Sequence, residues 1–242
     1  MRRIPIVRRI PVAYVIPEAY PDRASLSGTL GTCLYRRYRE TRSLQDMEHA
    51  VTQLEAALEA TPQDHPDSAV WLSDSGDLLH ARYERTGNLQ DLGRAIAQEE
   101  ASLALEATPP NHPGRVQQLH TLGFYLYSRY ERTGDLQDLQ GAIARLEAVV
   151  EATPEDHPHL VQRLGHLRQC LDSRYLRSGI RTLQDLEHAI ALSIATLERT
   201  SENHPDRAKL WGCLGGLLHV RYDRTGNYQD LEHAIKIGRA HV

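Results

Sequence analysis

Apolar side chains recur along this chain at helical spacing, and the whole pattern then repeats. Counting from Pro66, Leu72, Ser75, Leu79 and Tyr83 follow at increments of three and four. Trp211, Leu214, Leu218 and Tyr222 follow Pro205 in the same rhythm. Such increments place mostly apolar residues on one face of an α-helix. A second, smaller stripe follows each time, as in Leu92, Ala95 and Ile96. The pattern predicts a pair of helices, A and B, opened by Pro21, Pro66, Pro113, Pro158 and Pro205. An Arg-Tyr pair marks each unit, at Arg37-Tyr38, Arg82-Tyr83, Arg129-Tyr130, Arg174-Tyr175 and Arg221-Tyr222. A repeat of this length predicts a solenoid, in which each hairpin buries its apolar face against its neighbours.

Punctuation residues agree with the stripes. Proline costs a helix nothing in its first turn, so each opening Pro starts helix A, with Asp64, Asn111, Asp156 and Asn203 as expected N-caps. Gly87, Gly134, Gly179 and Gly226 end helix A as left-handed caps; Arg42 in their place predicts a less defined first turn. Ser43, Asn88, Asp135, Thr182 and Asn227 then cap helix B. Asp46, Asp91, Asp138, Asp185 and Asp230, three residues further, predict a short-armed capping box beside the positive end of the helix dipole. Thr61-Pro62, Thr108-Pro109 and Thr153-Pro154 end helix B. Two extra residues are expected to lengthen helix B of the second unit near Ser102–Leu105, and Ile180-Arg181 to lengthen the fourth turn.

The expected organisation is an irregular basic leader over 1–20 and an array over 21–236. Its units run about 21–65, 66–112, 113–157, 158–204 and 205–236, the last one partial. Pro5, Pro11 and Pro17 forbid a continuous helix in the leader. Ile237-Gly238-Arg239-Ala240-His241-Val242 departs from the repeat and matches the in-frame translation of a common sequencing adapter, so 237–242 is set aside as a non-native tail.

The last unit reads Trp211-x-x-Leu214-Gly215-x-x-Leu218, followed by Ala234. This resembles the tetratricopeptide repeat (TPR), with small residues at Gly31, Gly76, Gly123 and Gly215 and at Ala50, Ala95, Ala142, Ala189 and Ala234. The resemblance implies an all-α, right-handed α-solenoid of five helix-turn-helix repeats. Arg168 departs from it, with Leu164-Gly165 out of phase, and predicts a local distortion. The wording Arg-Tyr-Glu-Arg-Thr-Gly and Ala-Thr-Pro-x-Asp-His-Pro is similar to fungal arrays that accompany CHAT (caspase-like) or NLR-type NTPase domains.

Composition narrows the function classes. The net charge of −4 gives no footprint for nucleic acid or an anionic membrane. No run approaches the roughly 20 apolar residues of a membrane span. Cys33, Cys170 and Cys213 are too few and scattered for a disulfide framework, and a reduced, cytoplasmic protein is expected. His65, His112, His157 and His204 lie one unit apart, too far to share a metal whose ligands stand about 2.0 Å away; a structural role is expected, as for His49, His188 and His233. The repeated arginines read as exposed partners of the helix B carboxylates worth about 0–1 kcal/mol, or else as a basic ridge for an acidic partner. Gly212-Cys213-Leu214-Gly215-Gly216 lies inside helix A and has no strand before it, which rejects a phosphate loop.

No catalytic constellation, cofactor site or metal site is legible. The expected function is binding of a protein or peptide on the concave wall, which the resemblance assigns to helix A. Residues placed there are Tyr35, Asp77, His80, Gln117, His120 and Phe124, with Tyr127, Gln162, Asp172, Lys209 and His219 completing the rows. His80, His120, Phe124 and Tyr127 form an amphipathic aromatic cluster of the kind found at binding hot spots. Alternative partners are further repeats or a CHAT- or NLR-type effector domain of the same chain. End-to-end self-association is expected of the partial last unit.

Overall fold

The computed structural model describes residues 23–62, 65, 67–105, 112–154, 157–177, 183–203 and 207–240. Among them are ten α-helices and no strand: α1 Arg23–Thr41, α2 Leu44–Ala60, α3 Ser68–Thr86, α4 Leu89–Leu105, α5 Pro113–Thr133, α6 Leu136–Glu151, α7 Leu160–Arg177, α8 Leu183–Arg199, α9 Arg207–Thr225 and α10 Tyr228–Ala240. Odd-numbered helices are the A helices and even-numbered ones the B helices. Each A packs on its own B, and each B on the next A. The protein is an all-α solenoid of five helical hairpins. No described helix is long and apolar enough to cross a membrane. The leader, Gly179 through Thr182, and Pro66, Asn111, His204 and Pro205 lie outside the described residues.

Successive A helices also touch, α1 with α3 and α5 with α7. Successive B helices meet through long side chains, as in Arg94 with Glu55 and Arg145 with Glu100. The ribbon therefore curves with its A helices inside. The core runs as a continuous seam of Met47, Leu54, Leu79, Leu92, Leu122, Leu139, Leu146 and Leu171, each almost fully buried.

Glycine sets the approach of A to B within a hairpin. A β-carbon on Gly31 would lie 2.6 Å from Cγ of Leu54, and one on Gly123 would lie 2.9 Å from Cγ of Leu146. The fourth unit exchanges sizes: Arg168 stands at the glycine position and Ser193 at the leucine position. The distortion expected there does not break the helix. α7 runs unbroken from Leu160 to Arg177, and Arg168 turns to Asp172 on its own helix at 2.5 Å.

The A–B turn explains the repeated wording residue by residue. Gly87, Gly134 and Gly226 take φ of 72°, 75° and 68° and donate their N–H to the tyrosine carbonyl four residues back. Arg42 adopts the same left-handed conformation at φ 55°, donating to Tyr38 at 2.7 Å. The first turn is thus as well defined as the others, at a conformational cost. Thr41, Thr86, Thr133 and Thr225 each donate a hydroxyl to the arginine carbonyl and accept the N–H of the cap residue. Asn88, Asp135 and Asn227 accept the N–H two residues on, and Ser43 that of Asp46.

The aspartate does not complete a capping box. Asp46, Asp91, Asp138 and Asp230 are buried, and each accepts two N–H groups from Arg37, Arg82, Arg129 and Arg221 at 2.6–2.8 Å. The expected exposed pair is a planar fork on a desolvated carboxylate. The forks also remove these four arginines from any basic ridge.

Helix A opens differently from expectation. The N-cap of α5 is His112, not Asn111. His65, His112 and His157 each turn Nδ1 onto the backbone N–H two residues on, at 3.1–3.2 Å. The imidazole is thus the N-cap of α5, whereas at α3, whose N-cap is Asp67, His65 makes the same bond just ahead of the helix. α4 is described as far as Leu105, 17 residues like α2, and the lengthening expected of this helix falls on 106–111, outside the described residues. Cys170 is buried, whereas Cys33 at the equivalent position is exposed.

Removing one partner of a buried pair strands the other's charge. Asp138→Ala is expected to lower unfolding free energy by about 2–3 kcal/mol, less than for a fully enclosed pair because Arg129 is partly solvated. Arg42→Gly, which relieves a left-handed residue, is expected to raise it by about 1 kcal/mol. Urea denaturation followed by circular dichroism measures both.

Candidate binding surface

The inner wall is a stack of α1, α3, α5, α7 and α9, and its chemistry changes from joint to joint. Between the first and second units, Trp71 covers Gly28 so closely that a β-carbon there would lie 2.1 Å from the indole. Beside it, Thr32 donates to Asp74 at 2.7 Å and Tyr35 to Asp77 at 2.5 Å. Tyr125 of the third unit donates to the other oxygen of Asp77 at 2.7 Å. Asp77 thus ties three units together. Burial and these carboxylates push the Tyr35 and Tyr125 hydroxyls well above the usual tyrosine range. Burial also raises Asp74.

The aromatic cluster is centred on the second and third joints. His80 is buried, stacks on Tyr125 at 4.4 Å and 14°, and meets the edge of Phe124 at 5.4 Å. Phe124 lies over His166 at 5.5 Å. His120 and His166 stack at 5.0 Å, with Nε2 of one 2.9 Å from Nδ1 of the other. Tyr127 is 7% exposed and hydrogen-bonded to Ser173 at 3.0 Å. His80 and Tyr127 therefore serve the packing of neighbouring units, and Phe124 is half-buried between rings. Sequence spacing did not reveal His166, which completes the cluster, because the unit around Arg168 departs from the repeat phase.

Other expected wall residues stand open. Gln117, Gln162, Lys209 and His219 are exposed, and Gln117 accepts from Arg163 at 3.4 Å. Asp172 is half-buried against Arg168, and burial raises its carboxyl. Two clefts open among these side chains. One, of about 430 Å³, is lined by Tyr35, Arg39, Asp77, Gln117 and Thr121. The other, of about 410 Å³, is lined by Gln162, His166, Arg168, Gln169 and Lys209. Gly165 and Gly212 keep open space at the second, where Trp71 fills the first joint. No group of three His, Cys, Asp or Glu among the described residues could hold a metal ion. Gly212 through Gly216 lie within α9, in helical backbone that cannot cradle a phosphate.

Residues 116–159 match the tetratricopeptide repeat family model. No curated protein sequence matches the chain. Among solved structures, it is similar to nearly identical TPR-like repeats of a Podosopora anserina protein assigned as a kinesin light chain, with 20% identity and a TM-score of 0.57 over 91% of this chain and 97% of that one. It is also similar to the protein MamA, with 14% identity and a TM-score of 0.57 over 91% of this chain and 94% of that one. A MamA from Desulfovibrio magneticus RS-1 aligns at 19% identity and a TM-score of 0.53 over 90% and 97%. The chain folds as a TPR-like repeat array.

The imidazole pair gives this wall a pH response. Burial, then the charges of His166, Arg163 and His159, push His120 down to about 4. Burial and Lys209 lower His166. Each fold-lowered imidazole binds fewer protons when folded than when unfolded, where histidine titrates near 6.5. Unfolding free energy contributed by the pair is therefore full above about pH 6.5 and falls toward pH 4. Thermal unfolding over that range is expected to show the loss, and His120→Gln, which keeps an amide beside His166 but does not titrate, to flatten it.

Proposed function

We propose that the array is a non-catalytic scaffold that holds a protein or peptide segment along the inner wall of its A helices. The observation that carries this reading is the pair of open, polar clefts flanking the aromatic cluster on one continuous face. Their linings mix amide, basic and acidic side chains with ring faces, which suits the alternating apolar and hydrogen-bonding demands of a peptide. Curvature toward the A helices supports it as well, since the A-helix face is then a groove. Gln117, Gln162, Lys209 and His219 are the residues free to contact a partner; Asp77, His80 and Tyr127 shape the wall behind them, with Phe124 between the two roles.

A regulatory segment of a larger CHAT- or NLR-type protein is the second reading, supported by the wording of the repeats. It uses the same groove, with a segment of the same polypeptide as occupant. End-to-end association of copies is a further reading, supported by exposed Ile235 on the last helix.

Selection of displayed random peptides on the immobilised protein tests the groove. Peptides selected on the wild type are expected to lose about tenfold or more in affinity when Gln162 and Lys209 become Ala, a loss of about 1.4 kcal/mol or more. They should be unaffected by Glu59→Ala on the outer B-helix face. Unchanged binding to the inner-wall variant, with its melting temperature retained, would overturn the assignment.

A further inference from the structure

Successive B helices are latched by one rule with one exception. The glutamate nine residues beyond the Asp46, Asp91 and Asp138 positions reaches a base on the next B helix: Glu55 to Arg94, Glu100 to Arg145 at 3.2 Å, and Glu147 to His188 at 3.6 Å. At the fourth joint the same position is Ile194, 42% exposed. Across from it on α10, His233 and Lys236 are exposed; His233 acts on the carboxylate of Asp230 on its own helix, and among the described residues Lys236 makes no ion pair.

At this joint a cleft opens. Of about 580 Å³, it lies between α8, α9 and α10, floored by Ile190, Ile194, Trp211, Leu214 and Leu218, closed at one side by Ile237 of the stretch set aside as a tail, and rimmed by His233 and Lys236. That volume lies in the range of small-ligand sites. The cleft follows α9 from Trp211 to Arg221, about 15 Å at the helical rise. Arg221 also lines it, but its fork is occupied by Asp230 at 2.6 and 2.8 Å.

We propose that this cleft binds an aliphatic carboxylate of the fatty-acid class. Its chain lies on Ile190, Trp211, Leu214 and Leu218, and its carboxylate meets Lys236 and His233, supplying the anion that Glu55, Glu100 and Glu147 supply elsewhere. Charge complementarity selects the head group, since Lys236 is a cation on the rim and no Asp or Glu lines the cleft. The apolar floor selects the chain, because an inorganic anion or a small hydrophilic acid would leave it wet. The site lies between α8, α9 and α10, apart from the inner-wall clefts, and is independent of peptide binding there.

Titration of the full chain with dodecanoate below its aggregation threshold, read by tryptophan emission and calorimetry, tests the proposal. Trp71 is buried at 3% exposure, so a change in emission reports Trp211. Saturable binding of one dodecanoate per chain is expected, with dodecyl alcohol and dodecyltrimethylammonium weaker by about tenfold or more. Lys236→Glu should weaken dodecanoate by about tenfold. Ile194→Glu, which restores the latch, should abolish binding without lowering the melting temperature. Equal binding of the three amphiphiles, or dodecanoate affinity unchanged in the well-folded Ile194→Glu variant, would overturn the site.

Discussion

A buried aspartate at the start of each B helix is the constraint around which each hairpin is built. A desolvated carboxylate needs a partner that neutralises it and satisfies both oxygens. The guanidinium fork nine residues upstream does this in the four units where the pair is described. That requirement fixes the turn between them: arginine in the last turns of helix A, then a threonine, a left-handed residue and a cap. The turn keeps one spelling while the helix faces vary. Even Arg42 is held in the glycine conformation, between the fork of Arg37 on Asp46 and the hydrogen bond from its own N–H to Tyr38.

Within the hairpins, packing is equally economical. Glycine admits leucine at Gly31–Leu54 and Gly123–Leu146. Where Arg168 abolishes the small residue, Ser193 withdraws the large one, and the helices stay regular. Between the A helices of successive hairpins, by contrast, no two joints are alike. Trp71 on Gly28, the carboxylate of Asp77 shared by Tyr35 and Tyr125, the His120–His166 stack, and open space at Gly165 and Gly212 follow one another along the wall. The backbone repeats and the surface does not.

That contrast explains what was legible in the sequence. Helix number, order and pairing followed from stripes, glycines and caps, because those signals are local and occur in every unit. The turn residues were legible too, yet their partners were not. Asp138 reads as a capping acid until its burial reveals that it must face Arg129. His112 reads as a bystander next to Asn111, since an imidazole cap is rarer than an asparagine cap. On the inner wall, Tyr127 and Gln117 look alike by spacing. Only the offset between neighbouring A helices tells that the tyrosine is covered by Ser173 while the glutamine stays open. His166 needed that offset as well, together with an unbroken α7 that Arg168 argued against.

The same offset bears on what the array can do. A solenoid whose joints were all alike would offer one chemistry along its whole length and would select for length or charge alone. Here the wall passes from a carboxylate hub through stacked rings to a basic, amide-rich cleft within three units. In the proposed binding mode, a segment lying along it would meet aromatic and then basic contacts in a fixed order, which would specify its direction and register. The stacked imidazoles stand at the middle of that order. Their depressed affinity for protons keeps them neutral near pH 7, so in the proposed binding mode the centre of the wall would suit apolar or aromatic side chains and the clefts on either side would select charge.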